Sequence, residues 1–148
     1  MKNEQLDEHI LNIIQNFEIF EQRDLQEKLK DRNINIPQAT LSRRFKKLKI
    51  VKVSGVYKVI ELKKHYLPIV LNAQVSDFGL IVLQTNPGQA NSLAYFLDQK
   101  YVNYSPADTK NSGILGTIAG DDTILLIIRN KPDLDKVMGL IRELFPYL

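Results

Sequence analysis

The stretch from Gly113 to Arg129, GILGTIAGDDTILLIIR, constrains this chain more than any other. Ile114 to Ile118 and Thr123 to Ile128 are dense in β-branched residues, so each reads as a buried strand. Gly120-Asp121-Asp122 between them is a turn signal, which makes the whole a hairpin with two adjacent carboxylates at its tip. A turn needs only one such residue. Two carboxylates side by side repel each other unless a cation stands nearby. The pair therefore asks for a cationic partner, either a metal ion or an organic cation. An ordinary hairpin turn is the alternative that Gly-Asp-Asp alone leaves open.

The totals bound what the hairpin can belong to. The chain has 148 residues, enough for one ordinary domain or two small ones, and its 44% hydrophobic and 25% charged content is that of a globular protein. It has no Cys, which excludes disulfides and thiolate zinc sites. His9 and His65 are far apart in the sequence and read as ordinary surface or core residues. No stretch approaches the roughly 20 apolar residues of a membrane span. MKNEQLDEH lacks the apolar core of a signal peptide, so a cytoplasmic protein is expected, with no membrane partner. Charge is unevenly placed. Residues 1–66 hold 14 Lys and Arg against 9 Asp and Glu, a balance of +5, whereas residues 67–148 hold 6 against 8, a balance of −2. A basic module for a polyanion joined to a module with another task fits that asymmetry.

Residues 5–17 carry Leu6, Ile10, Ile13, Ile14 and Phe17 at helical spacing. A second helix is expected over Gln22 to Arg32 with Leu25 and Leu29 inward, and a third over Gln38 to Lys49 with Leu41, Phe45 and Leu48 on one face. Pro37 suits the first turn of that third helix. Strands at Ile50 to Val53 and Val56 to Ile60 flank Ser54-Gly55, a two-residue hairpin turn. Three short helices, the last one basic, followed by two strands read as a winged helix-turn-helix. From Arg32 to Ile60 there is no acidic residue, and eight are Lys or Arg. A helix of that kind fits the DNA major groove and reads base edges with its polar face, although a basic face is often merely solvated.

The polar segment Glu61 to Pro68 reads as the connection, with Pro68 disfavouring helix at Leu67. The expected boundaries are residues 1–64 for the first domain, 65–68 for the hinge and 69–148 for the second domain. Strands at Ile69 to Val75 and Leu80 to Thr85, a helix at Gln89 to Gln99, the opening hairpin and a last helix from Asp133 give the order ββαββα. That order predicts one sheet with helices on a single face, so the fold class is α+β. About 80 residues make a small core, and uncovered faces are candidate subunit interfaces.

GTIAGDDTILLI resembles the signature of the arginine repressor family, bacterial regulators that bind DNA when L-arginine is bound. IPQATLSRRF is similar to the start of that family's recognition helix, and QTNPGQANSLAYFLD to its strand-end, Pro-Gly and helix segment. The resemblance implies DNA contacts from Gln38, Ser42 and Arg43, with Arg43 the foremost base or phosphate contact. Arg44, Lys46 and Lys52 are then expected on phosphates. It also implies an L-arginine site formed by Asn91, Asp98, Asp121 and Asp122, with no other cofactor and no metal. Asn91 and Asp98, seven residues apart, fall on one face of a helix. A carboxylate pairs bidentately with a guanidinium, so such a set suits the two cationic groups of arginine. In the family the ligand bridges subunits where two trimers meet to form a hexamer, Asp121 taking the guanidinium and Asp98 and Asp122 the α-ammonium.

The implied function is an arginine-dependent regulator, not an enzyme, that binds a double-stranded operator and represses arginine biosynthesis genes. Three features depart from the family pattern: Asn91 in place of the usual Gln, a short wing, and a longer Lys100 to Ser112 loop. Two other readings remain. One is a constitutive architectural or recombination accessory protein whose second domain only oligomerises. The other is an enzyme holding Mg²⁺ on Asp121 and Asp122 for phosphoryl transfer.

Overall fold

The computed structural model describes residues 2–60, 67–102 and 112–148. Setting the last two residues aside, the chain divides into two compact units, Met1–Lys63 and Lys64–Pro146.

The first unit opens with three helices, α1 (Asn3–Asn16), α2 (Gln22–Asp31) and α3 (Gln38–Leu48). Each buries one apolar stripe: Leu6, Ile10, Ile13 and Ile14 from α1, Leu25 and Leu29 from α2, Leu41 and Phe45 from α3. Ile19, Ile34 and Ile50 from the connections complete a single core. The end of α2 shows how the turn between helices is set. Asn33 takes a left-handed conformation (φ 59°). Its N–H then bonds the carbonyl of Lys30 at 2.9 Å, and the N–H of Ile34 bonds that of Leu29 at 2.9 Å. This is the paired termination that satisfies orphan helix carbonyls, with Asn in the position usually held by Gly. Pro37 lies one place earlier than expected. It precedes the helix with extended backbone (ψ 152°), and its carbonyl accepts from Leu41 N–H at 3.1 Å. Lys49, expected inside α3, is instead left-handed (φ 55°) and turns the chain into the hairpin.

That hairpin is β1 (Ile50–Val53) paired antiparallel with β2 (Val56–Val59), with Val53 opposite Val56. Ser54 and Gly55 both have positive φ, 51° and 84°. This is the two-residue turn whose twist matches that of the strands. Ile60, expected in the strand, lies just beyond it and donates its N–H to Lys49 at 2.9 Å. The element order is that of a helix-turn-helix followed by a wing.

The second unit contains β3 (Val70–Val75), β4 (Leu80–Thr85), α4 (Ala90–Tyr101), β5 (Ile114–Ala119), β6 (Thr123–Ile128) and α5 (Asp133–Leu144). The strands form one antiparallel sheet in the order β3-β4-β6-β5. Alternation sorts its two faces. Ile81, Leu83, Ile124 and Leu126 are fully buried beneath the helices, α4 packing on β5 and β6 and α5 on β6. The neighbours that point the other way, Leu80, Val82, Leu125 and Ile127, stay half-buried, and Ile118 on the same face is 60% exposed. Among the described residues, that apolar face of the sheet is therefore less covered than the one beneath the helices.

α4 runs two residues further than expected, so Lys100 and Tyr101 are helical rather than part of the following loop. Residues 103–111 of that loop, and residues 61–66 of the connection with His65, lie outside the described residues. Past the loop, Gly113 (φ 95°) brings β5 against α5 so closely that a Cβ there would stand 2.8 Å from the Asp133 Cβ. Only glycine fits both that conformation and that approach.

Candidate nucleic-acid interface and ligand site

In the first unit the residues opposite the core stripe of α3 form its outer face. Arg43 and Lys46 are exposed on it, and Gln38 is exposed at the first turn of the helix, on the flank of the stripe that carries Leu41 and Phe45. Ser42 is half-buried at its margin, and its hydroxyl donates to Gln22 Oε1 of α2 at 3.1 Å, so it fixes one helix against the other. Arg44 departs from what the sequence suggested. It sits one step around the helix, with only 15% of its side chain exposed, and its Nη1 lies 3.3 Å from the Asp7 carboxylate on α1. Lys47 reaches the same carboxylate at 2.8 Å. Asp7 is itself buried to 8% exposure. Arg44 thus holds the helix in place, and its charge is already matched inside the fold. Asp7 escaped the sequence reading because one acid among the charges of α1 looks like any solvated residue.

Lys52 on β1 projects from the hairpin and pairs with Glu21 at 2.9 Å, its Nζ also lying 5.6 Å from the centre of the Tyr57 ring. The hydrogen bond to Glu21 raises the Lys52 ammonium above its ordinary range. Glu21 caps the start of α2, its N–H bonding Asp24 Oδ2 at 3.0 Å. The loop before α2 is joined to the wing by the backbone, Tyr57 N–H donating to the Ile19 carbonyl at 2.9 Å. Gln38, Glu21, Gln22 and Tyr57 line one groove beside the start of α3.

In the second unit the Gly120-Asp121-Asp122 tip is bolted to the start of α4. The Asp121 carbonyl accepts from Gly88 N–H at 3.1 Å and Ala90 N–H at 3.2 Å. The Asp122 carbonyl accepts from Thr85 N–H at 2.7 Å. Thr85, 1% exposed, seals this junction from below with its hydroxyl on the Asn86 carbonyl at 2.9 Å. Asn86-Pro87-Gly88 is thus the bend that lets a strand end, a hairpin tip and a helix start share one set of hydrogen bonds. The result is a rigid frame for four polar side chains. Asn91 and Asp121 are exposed, and Asp98 and Asp122 are half-buried. Asp98 Oδ1 accepts from Thr117 Oγ1 of β5 at 2.7 Å, and Asp122 Oδ1 accepts from Thr123 Oγ1 at 2.9 Å. Each of these two carboxylates keeps a second oxygen outside those bonds. The Asp121 carboxylate makes no hydrogen bond or ion pair among the described residues. Thr117 was missed from sequence, where it passed for strand filler, although its place opposite Leu126 on the helix side marks it.

Among the described residues no group of three or more His, Cys, Asp or Glu could hold a metal ion, and no helix is long and apolar enough to cross a membrane.

Comparison with known proteins agrees with both halves. Residues 1–65 match the family model described as arginine repressor, DNA binding domain, and residues 69–143 match that described as arginine repressor, C-terminal domain. The chain is 32% identical over 150 residues to the arginine repressor of Halothermothrix orenii, covering 91% of this chain and 93% of that one. It is 35% identical over 149 residues to the arginine repressor of Staphylococcus aureus, with the same coverage. The chain belongs to the arginine repressor family, a family of DNA-binding transcriptional regulators and not of enzymes.

Proposed function

We propose that this protein is a cytoplasmic, L-arginine-dependent regulator that represses arginine biosynthesis genes, residues 1–64 binding the operator and residues 69–148 binding arginine and oligomerising, with 65–68 as hinge. The observation that carries this reading is the frame at the start of α4, which holds Asp121 and Asp122 beside the helix bearing Asn91 and Asp98. Such a set offers an organic cation carboxylates from two elements, and the Asp121 carboxylate, unengaged among the described residues, suits a bidentate guanidinium pair. The names of the family models and relatives support the identity of that cation. The less covered sheet face supports assembly, since burying Leu80, Val82, Leu125, Ile127 and Ile118 against another copy removes apolar surface that the described residues leave partly exposed. Trimers pairing into hexamers through bound arginine would present several DNA-binding heads together and raise avidity with no new base contact.

Titration calorimetry with L-arginine and with L-citrulline tests the effector. Citrulline keeps the shape and loses the guanidinium charge, so arginine is expected to bind and citrulline not. Operator affinity at fixed salt is expected to rise with arginine. Unchanged affinity would leave a DNA-binding protein without effector control.

On the DNA side, Gln38, Ser42, Arg43, Lys46 and Lys52 are the proposed contacts. A bidentate arginine on guanine contributes about 1–3 kcal/mol of discrimination. Arg43→Ala is therefore expected to weaken operator binding by about tenfold or more and to affect random DNA less. Lys46→Ala is expected to weaken both DNAs alike and to lower the slope of log K against log salt by about one. Equal losses on both DNAs for Arg43→Ala would move that residue from base to backbone.

A further inference from the structure

We infer that Tyr95 is a selectivity element of the ligand site, its ring stacking on the planar cation of the effector. The inference rests on the arginine-binding reading above and adds to it a residue that the carboxylate set does not include.

α4 buries Ala90, Leu93, Ala94 and Leu97 against the sheet. Asn91, Tyr95 and Asp98 follow one another at four and three residues along a single flank beside that stripe. Tyr95 is 68% exposed, although an aromatic ring of its size is usually withdrawn from water. Phe96 and Tyr101 of the same helix do find ring partners, packing edge to face at 6.3 Å between centroids. Side chains on a helix lean toward its N-terminus, which directs a residue at position 95 toward the turn that carries Asn91. The hydrogen bonds from Gly88 and Ala90 to Asp121 make tip and helix one body, and Thr117 pins Asp98 on the other side of Tyr95. Tyr95 is therefore carried on a held helix between Asn91 and Asp98, the two positions that α4 contributes to the proposed site.

A flat aromatic face discriminates among cations in a way that carboxylates do not. A carboxylate attracts a compact ammonium and a guanidinium alike. A tyrosine face attracts cations as well, and it stacks flat on a guanidinium, which is planar and weakly hydrated. Tyr95 would thus favour a guanidinium ligand over an amine of similar length. It would also shield the ion pair from water.

The experiment compares wild type, Tyr95→Phe, Tyr95→Leu and Asp121→Asn by calorimetry with L-arginine, and measures the near-ultraviolet difference spectrum on adding arginine. The chain has no Trp and six Tyr, so the tyrosine band is not masked by indole. Tyr95→Phe is expected to bind arginine within about twofold of wild type while losing part of the tyrosine difference spectrum. Tyr95→Leu is expected to bind about fivefold more weakly with an unchanged melting temperature. In competition with L-lysine, its preference for arginine should narrow. Wild-type affinity in Tyr95→Leu, or equal loss in Tyr95→Phe and Tyr95→Leu, would overturn the stacking role, the second result moving the effect to the hydroxyl. If Asp121→Asn abolishes binding while Tyr95→Leu does not weaken it, the stacking inference fails and the arginine site stands. If wild type does not bind arginine, both fail.

Discussion

Replacing Asp7 by alanine is expected to lower the melting temperature of the N-terminal unit by about 10 °C and to weaken DNA binding with it. The carboxylate is 8% exposed and receives both Arg44 and Lys47 from the helix proposed to read DNA. Removing it leaves the Arg44 guanidinium, itself 15% exposed, with its charge largely out of water and unmatched. Hydrogen bonds to charged groups contribute about 1.5–3 kcal/mol, and breaking a well-buried pair from one side costs about 3–5. Residual exposure argues for the lower range, about 2–3 kcal/mol. For a unit of this size each kcal/mol moves the midpoint by about 4–8 °C. Lys47→Met is the contrast. Lys47 is 58% exposed, so losing it should cost less than about 1 kcal/mol. If calorimetry finds the two substitutions equally mild, the apolar stripe of α3 and the Ser42–Gln22 bond hold the helix and Asp7 has no special part.

Asp7 also marks the limit of what could be read in advance. The apolar stripes of α1, α2 and α3, the Ser54-Gly55 turn and the ββαββα order were all legible, because each rests on local periodicity or on turn chemistry. Helix ends were legible to within a residue or two. Lys49 in a left-handed cap and Lys100 and Tyr101 inside α4 are the misses there, since no Gly or Pro marks either end. What could not be read was pairing across distance. Asp7 with Arg44 spans 37 positions, Gln22 with Ser42 spans 20, and Thr117 with Asp98 spans 19. A charge on a helix looks the same in a sequence whether it faces water or an opposite charge brought to it by folding. Arg44 was accordingly expected on DNA and lies against Asp7 instead.

The residues proposed for the effector site come from the sequence alone, and their support does not. Long motifs placed Asn91, Asp98, Asp121 and Asp122, whereas the hydrogen bonds from Gly88, Ala90 and Thr85 that lock the tip to α4 come from backbone, which a sequence does not distinguish. The backbone bonds have a consequence for mutagenesis. The tip is held by the carbonyls of Asp121 and Asp122, so changing the Asp121 side chain leaves those bonds in place.

For that reason Asp121→Asn is expected to fold as wild type and to lose about 100-fold or more in arginine affinity. The Asp121 side chain makes no hydrogen bond or ion pair among the described residues, so no described contact depends on its charge. An Asn keeps the shape but turns one acceptor into a donor, which then faces the N–H groups of a guanidinium. Truncating one side of a desolvated charge pair costs enough to account for such a loss. Asp122→Asn and Asp98→Asn should also lower the affinity, but each of these carboxylates already serves Thr123 or Thr117, so their removal disturbs local structure too. Thermal shift separates the cases. At arginine about 100 times the wild-type Kd, ligand binding stabilises wild type by about 2.7 kcal/mol, whereas a variant weakened 100-fold gains only about 0.4 kcal/mol. Asp121→Asn should therefore match wild type without arginine and fall behind it with arginine. Operator binding should then lose its response to arginine while the basal, salt-sensitive affinity of the heads persists. An Asp121→Asn protein that still responds to arginine would place the guanidinium elsewhere and return the Gly-Asp-Asp tip to an ordinary turn.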